Sequence, residues 1–273
     1  MTKPSTMKIS ILKRASVVLA GMFVSFAALA AGGGATEHAG VDLEDRASLQ
    51  RGAQLYMNYC VACHSLKYMR YSRIAEDLGL TEDQVMNNLN FTGAKFGEHV
   101  ISSMPAAFGE KSFGKAPPDL TLISRVRGSD WIYTYLKSFY LDESRPLGWN
   151  NKLFPNVSMP NPLWEMQGNL RPVFTAKEAT GEKDENGKPV MACPAGSTEA
   201  EDACIKELVV SQPGTQSEQE FERTARDLAA FLEYAGEPAA LKRQQIGVWV
   251  VLFLAFFTFL AWLLKKEYWR DVH

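Results

Sequence analysis

Five consecutive residues, Cys60-Val61-Ala62-Cys63-His64, constrain this chain more than any other stretch of it. Cysteines three apart on a helical turn share one face. Cys-x-x-Cys-His is the spacing at which two thiols attach a haem covalently. His64 follows directly, placed to bring its imidazole onto the iron as the proximal ligand. Two other readings compete: a redox dithiol and half of a zinc site. Zinc wants a second ligand pair, yet Cys193 and Cys204, the remaining cysteines, have ten residues and no histidine between them. A dithiol of the thioredoxin kind wants a βαβ setting, which the flanking residues lack. A single run of this type predicts a single haem.

Two apolar stretches bound the compartment. Lys8, Lys13 and Arg14 precede an uncharged run from Ala15 to Ala31 that contains Ala28-Leu29-Ala30. Basic residues, an apolar core and a small-x-small end predict a secretory signal peptide over 1–30. Ile246 to Leu264 is the second stretch, nineteen residues without a charge. At about 1.5 Å per residue it covers roughly 28 Å, close to a bilayer core of about 30 Å. Trp249, Trp262, Tyr268 and Trp269 sit like interfacial anchors, and Lys265, Lys266 and Arg270 follow as at a cytoplasmic end; Lys242 and Arg243 on the other flank weaken that charge argument, so the orientation rests on the signal peptide. The expected placement is therefore single-pass in a bacterial inner membrane, with the haem domain on the periplasmic side and the C-terminus cytoplasmic. Stable disulfides belong in the same exported compartment.

The formal net charge of −2 hides an asymmetry. Lys3, Lys8, Lys13 and Arg14 make the start basic, and basic residues outnumber acidic ones from Lys242 onward. The body between them is strongly acidic. An acidic exported surface points to a basic partner and away from nucleic acid.

Between the two apolar stretches the chain reads as a short flexible lead-in over 31–41, a haem domain over 42–238 and an anchor over 239–273. Leu49, Gly52, Tyr56, Tyr59 and Cys63 recur at helical spacing, which puts the cysteines at the end of an amphipathic helix. Gly52 would permit another helix to come close. Thr81-Glu82-Asp83-Gln84 and Ser217-Glu218-Gln219-Glu220 are capping-box patterns. The second opens a helix with Phe221, Ala225, Leu228, Leu232 and Ala235 on one face. Ser129 reads as the N-cap of a helix reaching Leu141, its apolar face made by Trp131, Tyr135, Leu136 and Phe139. Residues 92–118 and 145–162 are rich in Gly, Pro or Asn and read as loop. Residues 175–215 form a polar, acidic insertion in which Asn186-Gly187 would turn a hairpin. Cys193 and Cys204 lie within it and are expected to pair. The overall expectation is a mainly α domain of the class I c-type cytochrome kind, its first and last helices packed together, with long loops, little sheet and one C-terminal transmembrane helix.

A sixth iron ligand has two candidates. Ser103-Met104-Pro105 and Ser158-Met159-Pro160 repeat one tripeptide. In each, proline holds the preceding methionine extended, a posture from which a loop can offer a thioether. Loop length does not choose between them, since closure costs only about 0.6 kcal/mol per doubling.

Taken together, several segments resemble the cytochrome c1 family, the haem subunits of ubiquinol–cytochrome c oxidoreductase. They are Arg51-Gly52 through Tyr68, Ala116-Pro117-Pro118-Asp119-Leu120 with Arg125 and Arg127, Ser158-Met159-Pro160, and Phe231-Leu232 through Glu237-Pro238. The resemblance covers most of the chain after the signal peptide, but not the 175–215 insertion. It implies that Cys60 and Cys63 hold the haem, that His64 and Met159 ligate its iron, and that Arg127 meets a propionate. Pro117 and Pro118 would pack against the haem edge on the histidine side. The family places its ligand methionine after the Pro-Pro-Asp-Leu segment, which selects Met159 over Met104. The implied function is one-electron transfer from a Rieske iron–sulfur protein to a soluble c-type cytochrome, with cytochrome b beside the anchor and no catalysis by this chain alone. A Met/His pair raises the potential and leaves no open iron position, which argues against peroxidase-like chemistry. The rival expectation is a tail-anchored haem subunit that feeds a terminal oxidase.

Overall fold

Asp45 starts the first helix by accepting the Ser48 N–H on its carboxylate at 3.0 Å. This helix, α1, runs Arg46–Tyr59. The computed structural model describes residues 36–183, 185–200 and 203–270. The expected signal peptide, and the lead-in before residue 36, lie outside the described residues.

α1 packs along a second long helix, α8, Glu218–Gly236. Their approach is set by Gly52, where an added Cβ would sit 2.1 Å from the Asp227 carbonyl oxygen and 2.7 Å from Phe231 Cβ. Tyr56 and Phe231 meet just beyond, ring centroids 5.6 Å apart, both fully buried. At about 25 cal/mol per Å² of apolar surface, each such ring contributes roughly 2–3 kcal/mol. Asp227, buried on α8, accepts hydrogen bonds from Ser48 Oγ and from Arg51 Nε and Nη2 of α1. The first and last helices of the domain are thus joined, as the sequence predicts.

Shorter elements fill the space between them. After the cysteine turn come β1 (Leu66–Arg70), α2 (Tyr71–Leu78), α3 (Glu82–Asn88), β2 (His99–Val100), α4 (Ala106–Phe113), α5 (Ile123–Arg127) and α6 (Ser129–Lys137). Both predicted capping boxes are present, on α3 and α8. The expected loop over 92–118 is not all loop: β2 pairs with β1, and α4 starts at the extended Pro105. Ser129 is not the cap of α6. Gly128 occupies that position without a side-chain bond, and the helix stops at Lys137, short of Leu141. Beyond it the backbone enters β3 (Phe139–Leu141), which pairs with β4 (Trp149–Asn151). Ile132, Tyr133 and Leu136 of α6 are buried in the core and the half-buried Trp131 packs against it, while Tyr135 turns toward Met159.

The lead-in is strapped down from Glu37. The Glu37 N–H donates to Thr134 Oγ1, the Ala39 N–H donates to Asp130, and Ala39 is fully buried. Lys137 reaches both Glu37 and Glu222, so this strap joins α6 to α8.

The fold is mainly α, with more sheet than the sequence suggests. After α7 (Trp164–Gln167) come β5 (Gly168–Thr175), β6 (Glu178–Lys183), β7 (Pro189–Ala192), β8 (Thr198–Ala200) and β9 (Ala203–Pro213). Strands order as β5-β9-β8, all antiparallel, while β6 and β7 make the predicted hairpin around Asn186-Gly187. A small cluster of Tyr140, Leu170 and Ile205 seats the sheet on β3. Cys193 and Cys204 are disulfide-bonded, their Cα atoms 5.6 Å apart.

A final helix, α9, spans Ala240–Tyr268 and contains the expected 246–264 stretch. It is long and apolar enough to cross a membrane, and its apolar side chains face outward along that stretch. Only Glu237, Pro238 and Ala239 separate it from α8. Glu237 accepts hydrogen bonds from Arg125 on α5 (2.7 Å) and from Arg243 on α9.

Candidate haem site

The cysteine turn prolongs α1 by backbone bonding alone. Cys60 and Val61 N–H groups donate to the Tyr56 carbonyl, and those of Cys63 and His64 donate to the Cys60 carbonyl. The buried Tyr56 hydroxyl then donates to the His64 carbonyl at 2.7 Å, so a core residue clasps the turn. Cys60 is buried and Cys63 half-buried, both as free thiols. Burial, reinforced by the neighbouring Cys63, pushes the Cys60 thiol up to about 12. A redox dithiol wants a depressed pKa, and burial here pushes the other way.

His64 is fixed from the other side. Its Nδ1 lies 2.7 Å from the Pro118 carbonyl oxygen. An acceptor there assigns the proton to Nδ1 and leaves the Nε2 lone pair free for a metal. Burial lowers the His64 pKa despite the Pro118 bond, which favours the neutral, ligating form. Pro117-Pro118-Asp119-Leu120 reaches His64 because it is zipped to the residues after it. The Leu120 N–H donates to the Ser65 carbonyl, and the Lys67 N–H donates to Asp119. Ser102 closes the third side, donating from Oγ to the Ala62 carbonyl.

Met104 belongs to this histidine side. A Cβ built on Gly109 would lie 2.6 Å from Pro117 Cδ and 3.5 Å from Met104 Sδ. Gly109 is therefore the gap into which both pack.

Met159 belongs to a different cluster. Its Sδ accepts a hydrogen bond from the Tyr135 hydroxyl at 3.5 Å. Tyr135 stacks on Trp131 (centroids 4.9 Å, planes 10° apart), and Phe154 meets Trp131 edge-on. Arg127 lies over both rings, its Cζ 5.0 Å from Trp131 and 5.8 Å from Phe154. Sequence reasoning placed Trp131 and Tyr135 on the apolar face of this helix, and Trp131 does pack against the core, but it missed the aromatic wall they build around Met159. Their i, i+4 spacing carried the signal, but Leu136 and Phe139 share that period.

The residues form two groups. Cys60, Cys63, His64, Pro117 and Pro118 stand together, and Met159 stands with Arg127 and the rings. Helix α5 begins three residues after Leu120 and ends at Arg127, so it runs from one group to the other, with Leu122 at its N-cap and Val126 within it 45% and 75% exposed. Two thiols on one turn, an imidazole with a free Nε2, a thioether and uncovered apolar side chains are the donor set and surface that a covalently held haem requires.

Such a site on a mainly α domain, with one apolar C-terminal helix, defines a membrane-anchored c-type cytochrome. The profile of the Cytochrome C1 family matches residues 38–99 and 102–272. The chain belongs to that family, whose members carry covalently bound c-type haem and transfer electrons in the respiratory chain. It is 48% identical to a cytochrome c1 of Allochromatium vinosum, over 90% of this chain and 94% of that one. It is 38% identical to a Nitrosomonas europaea protein described as an ammonia monooxygenase gamma subunit, over 87% and 88%. A cytochrome c1 of Cereibacter sphaeroides is 28% identical, over 90% and 91%.

Proposed function

We propose that this chain accepts single electrons from a Rieske iron–sulfur protein and passes them to a soluble c-type cytochrome, with cytochrome b beside α9. The haem domain works on the periplasmic side of a bacterial inner membrane, with the C-terminus in the cytoplasm. Cys60 and Cys63 hold the haem, His64 and Met159 are the axial ligands, Arg127 pairs with a propionate, and Pro117 and Pro118 line the edge. When bound, the haem supplies one-electron iron chemistry, and a Met/His pair favours its reduced state. The protein's part is posture: Pro118 orients the imidazole, Tyr56 fixes the turn, and α5 links the two walls.

The carrying observation is the division of the two methionines. Met104 packs with Pro117, on the same side as His64, whereas Met159 stands among Tyr135, Trp131 and Phe154. A sixth ligand must oppose the histidine, which supports Met159. Met159→Leu should keep covalent haem but lose the methionine-to-iron charge-transfer band at the red edge of the oxidised spectrum. Met104→Leu should leave that band in place; the reverse result sinks the assignment. Direction is tested in the isolated complex, where quinol should reduce this haem only with a functional Rieske protein present. The relative described as a monooxygenase subunit raises a second reading, in which the same domain serves another membrane complex. Co-isolation without cytochrome b and a Rieske protein would favour it.

A further inference from the structure

We propose that Tyr135 is a positioning residue that clamps the 151–159 loop at both of its ends. The proposal rests on the reading of Met159 as the sixth ligand. At the start of the loop, Asn151 Nδ2 donates to the Tyr135 carbonyl oxygen at 2.8 Å. At its end, the Tyr135 hydroxyl donates to Met159 Sδ. One residue on α6 thus receives the loop as it leaves β4 and as it delivers its thioether.

Each half of the clamp is rigid. The Tyr135 carbonyl lies in the last turn of α6, where it accepts the Ser138 N–H at 3.2 Å and has its second lone pair free for Asn151. Asn151 is itself wholly buried. Its Oδ1 accepts the Leu153 and Phe154 N–H groups, which bends the loop immediately after the strand. The Tyr135 ring is held by the Trp131 stack and by Phe139 edge-on at 5.0 Å. Its hydroxyl therefore cannot follow a wandering sulfur. Between the two ends, Asn150 Oδ1 accepts the Asn156 N–H, and Arg145 donates to the Asn156 side chain and carbonyl. Asn156 itself is in the left-handed region at φ 64°, a turn that asparagine adopts more readily than other side chains.

The clamp has an electronic consequence. A thioether sulfur has a second lone pair when the first is given to iron, and a phenol can donate to it. That hydrogen bond draws density from sulfur, weakens its donation to oxidised iron and favours the reduced state. Removing the hydroxyl should lower the potential, and releasing Asn151 should let the loop lift.

The test uses the full-length chain with its haem attached. Tyr135→Phe keeps the ring stack and the carbonyl. It should keep the charge-transfer band while the oxidised-to-reduced ratio at fixed potential rises about threefold to tenfold, a tenfold change being 59 mV for one electron. Asn151→Asp keeps the acceptor for Leu153 and Phe154 but loses the donor to Tyr135. Imidazole added to the oxidised protein should bind it about tenfold more tightly than the parent, because imidazole enters only when Met159 leaves. If Asn151→Asp fails to fold, the potential of Tyr135→Phe decides alone. Met159→Leu is the control. If it loses the band and the Tyr135→Phe potential or the Asn151→Asp imidazole affinity is unchanged, the clamp is wrong and methionine ligation stands. If it keeps the band, the underlying reading falls and the clamp with it.

Discussion

Gly52 shows how much of the α1–α8 contact rests on a missing side chain. Its ideal Cβ position lies 2.1 Å from a backbone oxygen of α8, a clash that no rotamer change relieves. Gly52→Ala should push α1 and α8 apart, loosening the Asp227 bonds and the Tyr56–Phe231 contact together. Overpacking of this kind costs about 1–3 kcal/mol. Chemical denaturation followed at the haem should show that loss, and an unchanged midpoint would mean that the helices tolerate separation. At this scale the sequence was legible where chemistry demands fixed spacing. Two thiols and an imidazole must be adjacent to serve one haem, so spacing alone was enough to propose Cys60, Cys63 and His64. Met104 and Met159 could not be separated by local sequence, because both are Ser-Met-Pro. Their difference lies in what packs around them: Pro117 and Gly109 for one, Tyr135 for the other. The Tyr135–Met159 contact was not legible for a related reason, since the two residues lie 24 apart and helix period reports only neighbours three or four residues away.

Helices with chemical start signals were found from sequence, and strands without them were not. Thr81 and Ser217 announce α3 and α8 through reciprocal side-chain and backbone bonds. β5 and β9 announce nothing. Their runs hold Pro172, Lys206 and Glu207 among the apolar residues, and two register shifts interrupt the pairing. Alternation is lost at each bulge, so the 175–215 segment reads as polar loop. What seats the sheet is a three-residue cluster under it and the disulfide at one end of β9. Replacing both Cys193 and Cys204 with alanine should therefore cost about 3 kcal/mol on the chain-entropy account of a short closed loop. The cost should fall on the insertion first: hydrogen exchange in β8 and β9 should quicken while the haem spectrum stays intact. A changed spectrum would mean that the insertion braces the haem pocket.

Seen whole, the molecule places all seven haem-site candidates upstream of α8 and the apolar helix after it. Truncation before Leu241 should leave a soluble domain with its haem spectrum unchanged, checked by fractionation and absorbance after export. Loss of haem from an exported truncation would show that α9 helps form the pocket. The joint between α8 and α9 also limits what the anchored protein can do. Three residues span at most about 10 Å even when fully stretched, and Glu237 is held by arginines on both sides of them. With α9 in a bilayer, so short and pinned a joint would hold the domain at one height with almost no arc to swing through. It would be a mooring post, and under the proposed function its electron partners would do the travelling.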